Sequence, residues 1–259
     1  MTGSSGSSGG PTASVDDILL NADIDWDYFD SQDYFQHNYG RLRHDDAEII
    51  NIVANFFASQ RWKTLGRAID VGTGTNLYPA MIMLPYAAEL ILFERAFSNR
   101  DWLTATLRKP QDSWQVFWHT IARGRKAYER FRKPLDVLLR TAKVVKGNVY
   151  ELERAQYDLG TMFFVAESIT SREREFRLAT QKFVNSLVPG APFAAAFMCR
   201  SDGYTVGGQH FPAYSIGPSD VESCLASVAR IRHIDKVDSH DLREGYSGMI
   251  VATGWRKLQ

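Results

Sequence analysis

From residue 45 onward, short apolar runs alternate with stretches of helical period. Ile49, Ile52, Val53, Phe56 and Phe57 recur at helical spacing within Asp45–Ser59, which predicts an amphipathic helix whose apolar stripe is core. Ala68–Val71 reads as a short buried strand, Leu77–Leu84 as a helix and Leu90–Phe93 as a second strand ending in Glu94. Arg100–Leu107 is helical. Trp114, Phe117, Trp118, Ile121 and Tyr128 predict one further helix, which Pro134 breaks before Leu135–Ala142 starts another. Lys143–Val149 suits a third strand. Tyr157–Ala166 suits a fourth, with Met162–Val165 buried on both faces. Arg172–Leu187 is a helix stopped by Val188-Pro189-Gly190. Phe193–Cys199 follows as the fifth strand, then a glycine-rich loop over Ser201–Tyr214 and a helix over Pro218–Val228 with Ser219 as its cap. Ile231–Val237 and Gly248–Trp255 are two closing strands.

Strands alternating with helices imply an α/β fold: a Rossmann-like, mostly parallel sheet with helices on both faces. The last two strands lie too close in sequence for a crossover, so they form a hairpin, giving a seven-stranded mixed sheet with one antiparallel strand. Residues 1–14 are Gly/Ser-rich at their start and expected to be a disordered tail, in part an expression scar. Residues 15–259 form one domain, with a helical lid over 15–60, opened by a short helix at Val15–Leu20, and a helical insertion over 108–142.

Composition narrows the function. The 259 residues are 44% hydrophobic, enough for a sizeable core. Thirty Lys and Arg balance thirty Asp and Glu, so bulk charge gives no reason to expect a nucleic-acid or membrane partner. The basic residues Arg123, Arg125, Lys126, Arg130, Arg132 and Lys133 then read as a solvated helix face. Two cysteines, Cys199 and Cys224, are too few for a zinc site and read as reduced in a cytoplasmic protein. The six histidines are scattered, so no metal is expected.

The candidate chemistry centres on Ala68–Asn76. A strand runs into Gly72-Thr73-Gly74, and glycines there let a ligand lie against the main chain. Glu94 lies 20 residues after Gly74, the distance at which such sheets place a carboxylate on a ribose. Leu77 stands where a dinucleotide fingerprint has its third glycine, which argues against a nicotinamide cofactor and for S-adenosylmethionine (SAM). A tight turn that binds nothing is the plain alternative. Glu94, Asn148 and Glu167 fall at strand ends, where open α/β sheets bind ligands. Glu167 reads either as a substrate carboxylate or as a cap on the next helix. The aromatic stretch with Trp26, Tyr28, Phe29, Tyr34, Phe35 and Tyr39 reads either as a hydrophobic staple or as a lid over a cationic sulfonium. His210, in the glycine-rich loop, is a further substrate candidate beside a plain solvated reading. Tyr246, in the last loop, is another.

Four stretches resemble the family of small-molecule methyltransferases that includes the nicotinamide, phenylethanolamine, thioether and indolethylamine enzymes. Tyr34–Tyr39 is similar to its aromatic lid, and Ile69–Tyr78 to its cofactor loop. Glu94 with Asn99 is similar to its ribose acid and following asparagine, and Gly207–Phe211 to its substrate loop. The resemblance covers about Trp26 to Leu258 and implies a class I methyltransferase fold. It implies SAM contacts at Tyr34, Tyr39, Gly72, Thr73, Gly74, Asn76, Tyr78, Glu94 and Asn99, with Asn148 and Val149 flanking the adenine. The family usually has an aspartate where Asn148 stands. Glu167 falls on the family's acidic substrate residue and Tyr204 on a substrate-lining aromatic; Gly203 replaces an aromatic found in some members. Trp26, Tyr28, Tyr204, His210 and Tyr246 are the expected substrate contacts, and Glu167 the catalytic group.

The function expected from this is methylation of a small aromatic or heterocyclic acceptor at an amine nitrogen, in specialised-metabolite biosynthesis, by a cytoplasmic monomer or homodimer. Carbon methylation of an electron-rich ring, or transfer to oxygen or sulfur, is the alternative within the enzyme class. A SAM-binding protein without catalysis is the alternative outside it.

Overall fold

The computed structural model describes residues 20–62, 66–239 and 247–258. The expected tail, the helix expected from Val15 (except Leu20) and Tyr246 lie outside the described residues. A seven-stranded sheet carries the order β3-β2-β1-β4-β5-β9-β8. Its strands are β1 (Gly66–Val71), β2 (Ala87–Glu94), β3 (Ala142–Lys146), β4 (Leu159–Phe163), β5 (Pro192–Met198), β8 (Ala229–Val237) and β9 (Met249–Arg256). Pairing is parallel from β3 through β5, and β9 runs antiparallel to both β5 and β8. The expected mixed sheet with one antiparallel strand is therefore what forms.

Alternation along each strand builds two cores. Ala68, Leu90, Leu92, Ala194 and Ala196 face one side, under α2 (His44–Ala58), α3 (Tyr78–Met83), α5 (Ser113–Ala122) and α7 (Pro134–Thr141). Ile69, Val71, Ile91, Phe193 and Ala195 face the other, under α8 (Glu173–Ser186) and α9 (Pro218–Leu225). Along α2, Ile49, Val53, Phe56 and Phe57 are buried at the spacing that predicted the helix.

Four local expectations differ. The helix expected from Trp114 to Tyr128 breaks at Gly124, where φ is +68°, and becomes α5 and the short α6 (Lys126–Glu129). The basic residues thus do not share one helix face. The fourth strand stops at Phe163 because Phe164 takes a left-handed conformation, φ +58°. In α9 the first backbone donor is met by Asp220, whose carboxylate accepts from Gly217 N–H at 2.8 Å, so Ser219 is not the cap. The glycine-rich loop holds a hairpin of β6 (Tyr204–Val206) and β7 (Gln209–Phe211), turned by Gly207 and Gly208 with φ of +55° and +80°. Positive φ at both central residues is the type I′ turn that two-residue hairpins favour.

Two remaining helices complete the frame: α1 (Ser31–Asn38), at the lid, and α4 (Phe97–Arg108), after β2. The chain leaves β1 toward β2 and leaves β4 toward β5, so the loops after these adjacent strands diverge. That divergence opens a crevice at the carboxyl ends of the strands.

Candidate active site

The crevice holds a cavity with about 810 Å³ of empty space, its open mouth included. This lies within the roughly 300–1,000 Å³ common for small-molecule sites. Its floor is Gly72–Asn76. Gly72 has φ +64°, and a Cβ there would sit 2.5 Å from Val165, so the loop can pass Val165 only as glycine. Gly74 faces open space: a Cβ there would meet nothing closer than 3.8 Å. Asn76 Oδ1 accepts from Tyr78 N–H at 3.2 Å. The buried amide nitrogen of Asn76 and the hydroxyl of Thr75 have no partner. Donors left unmet in a cavity floor are suited to a polar ligand.

Glu94 ends β2 beside this loop. One carboxylate oxygen accepts from Gly74 N–H at 2.8 Å and the other from Ala96 N–H at 2.8 Å. Burial pushes its pKa up, and those two N–H groups oppose the rise. Both oxygens keep further lone pairs for a ligand. Asn99 lines the same wall and accepts from the Ser31 hydroxyl of α1 at 2.8 Å. Asn148 and Val149 line the far wall after β3, and Asn148 caps the turn there by accepting from Tyr150 N–H at 3.2 Å.

Beneath the loop, Asp70 is fully buried. It accepts from the Thr161 hydroxyl at 2.6 Å, while its other oxygen has no partner. Burial raises its pKa to about 7.

The lid lies across the opening. Trp26, Tyr34 and Tyr39 line the cavity together with Tyr204 of the hairpin. Trp26 and Tyr204 both stack on Phe211, each at 5.4 Å. Polar ties hold the lid down: Asp33 accepts from Gly207 N–H at 3.1 Å, and Asp27 from Phe97 N–H at 2.6 Å. A second, smaller chamber with about 350 Å³ of empty space adjoins the first. Tyr34, Tyr39 and Phe164 line both, and Arg43, Asp45 and Asp46 line the smaller alone.

Four expected site residues stand elsewhere. Tyr78 is fully buried under the loop, stacked on Phe117 at 5.7 Å, and reaches the site indirectly, through Asn76 and through the Tyr39 ring at 6.2 Å. Tyr28 is 78% exposed and lines neither chamber, because its 3-10 turn (Trp26–Tyr28) points Trp26 inward instead. His210 is exposed on β7 and packs against Gly203, where a Cβ would lie 2.6 Å from the imidazole. Glu167 is fully buried and lines neither chamber. It accepts from Met198 N–H at 2.8 Å, its second oxygen has no partner, and burial raises its pKa to about 7. Direct contact between Glu167 and a substrate is therefore not the arrangement seen. Conversely, Phe29, Arg95, Phe164 and Ile169 line the larger cavity without having been expected as individual contacts. Only Phe29, in the aromatic stretch, carried a signal.

A model of the NNMT/PNMT/TEMT family matches residues 18–249. The chain belongs to that family. It is a SAM-dependent methyltransferase with the class I fold. No curated protein sequence matches the chain. Among solved structures, it is similar to the N-methyltransferase NodS from Bradyrhizobium japonicum WM9 in complex with S-adenosylhomocysteine. That likeness has 9% identity over 84% of this chain and 89% of that one, TM-score 0.54. It is also similar to the 1,6-didemethyltoxoflavin-N1-methyltransferase from Burkholderia thailandensis, with 12% identity over 83% and 80% of the two chains, TM-score 0.51. The [4+2]-cyclase SpnF is similar as well: 13% identity over 86% of both chains, TM-score 0.55. At such identities these likenesses describe the fold alone; the last shows that the fold also carries other chemistry. Among the described residues no group of three or more His, Cys, Asp or Glu is placed to hold a metal. Nor is any helix there long and apolar enough to cross a membrane.

Proposed function

We propose that this enzyme methylates a small aromatic or heterocyclic acceptor at an amine nitrogen, within specialised-metabolite biosynthesis. The observation that carries the reading is the two-chambered crevice. The larger chamber has the polar floor and the Glu94 wall; the smaller is walled by aromatic rings and acids.

The residues of the larger chamber fit SAM. Glu94 accepts from the ribose hydroxyls, using lone pairs that Gly74 and Ala96 leave free. Gly72, Thr73 and Gly74 let the ligand lie against the backbone. Thr75 and Asn76 offer the unmet polar atoms, and Tyr78 holds Asn76 in place. Asn99 supports the ribose side, and Asn148 with Val149 flanks the adenine. Tyr34 and Tyr39 offer ring faces to a cation. When bound, SAM supplies an electrophilic methyl group on a sulfonium.

The acceptor then occupies the smaller chamber. Its two carboxylates, Asp45 and Asp46, outnumber the single guanidinium of Arg43, which suits a ligand that is cationic or becomes so. Trp26 and Tyr204 close the entrance and exclude water. Glu167 acts one layer back. It accepts from the N–H of Met198, a residue lining the smaller chamber, and a carboxylate behind that wall stabilises positive charge developing on an attacking nitrogen.

Calorimetry with S-adenosylhomocysteine tests the first chamber. Binding is expected, and Glu94→Ala should weaken it about 100-fold, the loss of hydrogen bonds to a charged group. A panel of small aromatic amines set against matched phenols, thiols and indoles tests the second. No binding of S-adenosylhomocysteine, or methylation confined to the non-amine members, sinks the reading.

A further inference from the structure

The inserted segment after α4 supplies α5, whose Trp114 and Phe117 are fully buried yet line neither chamber. Both press on Tyr39, which lines both chambers. The Trp114 indole stacks on the Tyr39 ring at 6.1 Å with 29° between planes, and Phe117 meets it edge-on at 6.5 Å. Trp114 also packs on Phe35, one turn earlier in α1, at 5.8 Å. The indole is itself fixed, since its N–H donates to the Gln111 side chain at 3.1 Å. Phe117 in turn lies parallel to Tyr78 at 5.7 Å and 12°, and Tyr78 meets Tyr39 at 6.2 Å. Tyr39 sits where α1 ends, with its N–H on Phe35 C=O at 2.7 Å. Its ring is packed by Tyr34, edge-on at 6.2 Å, and by the rings of Trp114, Phe117 and Tyr78, of which Trp114 alone stacks on its face.

We infer that Trp114 is a positioning residue: its indole holds Tyr39 in the partition between the two chambers, so the insertion tunes ligand binding without touching the ligand. The inference rests on the reading of the larger chamber as the SAM site. Neighbouring side chains that act through one another couple, whereas independent ones add.

The test is a double-mutant cycle read by calorimetry with S-adenosylhomocysteine, with thermal unfolding followed in parallel. Trp114→Leu is expected to weaken binding about tenfold in the Tyr39 protein and less than about twofold in the Tyr39→Ala background. Trp114→Phe, which keeps a ring, should stay within about threefold of the parent. Gln111→Leu, which frees the indole without opening the core, should weaken binding about threefold and serves if Trp114→Leu does not fold. Equal losses in the two backgrounds overturn the inference. So does a lowered melting temperature with unchanged affinity, a neutral Tyr39→Ala, or a neutral Gln111→Leu. If the parent binds no S-adenosylhomocysteine, the SAM-site reading falls, and the inference with it; if the parent binds and only the cycle fails, the SAM-site reading stands.

Discussion

Replacing Asp70 by Asn should flatten the dependence of stability on pH. Asp70 is fully buried below the Gly72–Asn76 loop, with Thr161 as donor to one oxygen and no partner for the other. Burial raises its pKa from 3.8 to about 7. At about 1.36 kcal/mol per pKa unit, that rise amounts to about 4 kcal/mol against the ionised folded form. The sign follows from proton binding. Between pH 4 and 7 the folded protein holds a proton on Asp70 that the unfolded chain has released, so stability falls as pH rises. The penalty is nearly absent below about pH 4 and complete above about pH 7. From pH 5 to pH 8 it grows by about 2–3 kcal/mol. Asn carries no charge in either state and still offers Thr161 an oxygen. Urea unfolding of parent and Asp70→Asn at pH 5 and pH 8 reads the difference. Groups common to both proteins cancel, and so does any fixed cost of the amide. Asp70→Asn should gain about 2–3 kcal/mol on the parent over that interval. Parallel stability–pH curves would refute the burial argument and mean that Asp70 ionises as an exposed acid does.

Two further outcomes follow from the same geometry. Gly72→Ala should lower stability by at least about 1–2 kcal/mol, the cost of a left-handed Cβ. It should also weaken S-adenosylhomocysteine binding, since the new methyl group meets Val165 at 2.5 Å; unchanged melting and calorimetry would refute the tight passage. Methyl transfer to an acceptor from the panel should rise with pH through about 7 as Glu167 ionises, and Glu167→Gln should remove that limb while binding of S-adenosylhomocysteine stays within about twofold. An unchanged pH profile in Glu167→Gln would show that the limb belongs to another group.

Sequence alone determined the layered sheet and the Gly72–Glu94 side of the crevice. Apolar period marks strands and helices because burial of one face is a local property of the chain. The Gly72–Gly74 turn and the position of Glu94 are set within one strand–helix–strand unit, so spacing along the chain translates directly into spacing in the crevice. The hairpin at Gly207-Gly208 was legible too: a Gly-Gly pair between Tyr-Thr-Val and Gln-His-Phe is a type I′ signal. Its strands are only three residues each, too short for apolar period to mark them. The tertiary structure decided what depends on contacts distant in sequence. Glu167 reads as a group at a strand end, yet Met198 of the neighbouring strand takes one oxygen and packing seals the other. Tyr28 and Trp26 are alike in sequence pattern, and only the turn that holds them sends one out and the other in. The smaller chamber gathers Arg43, Asp45 and Asp46 from the start of α2, Phe164 after β4, Met198 at the end of β5 and Met249 at the start of β9. No spacing along the chain encodes such a meeting, because it forms only when the sheet and lid close around it.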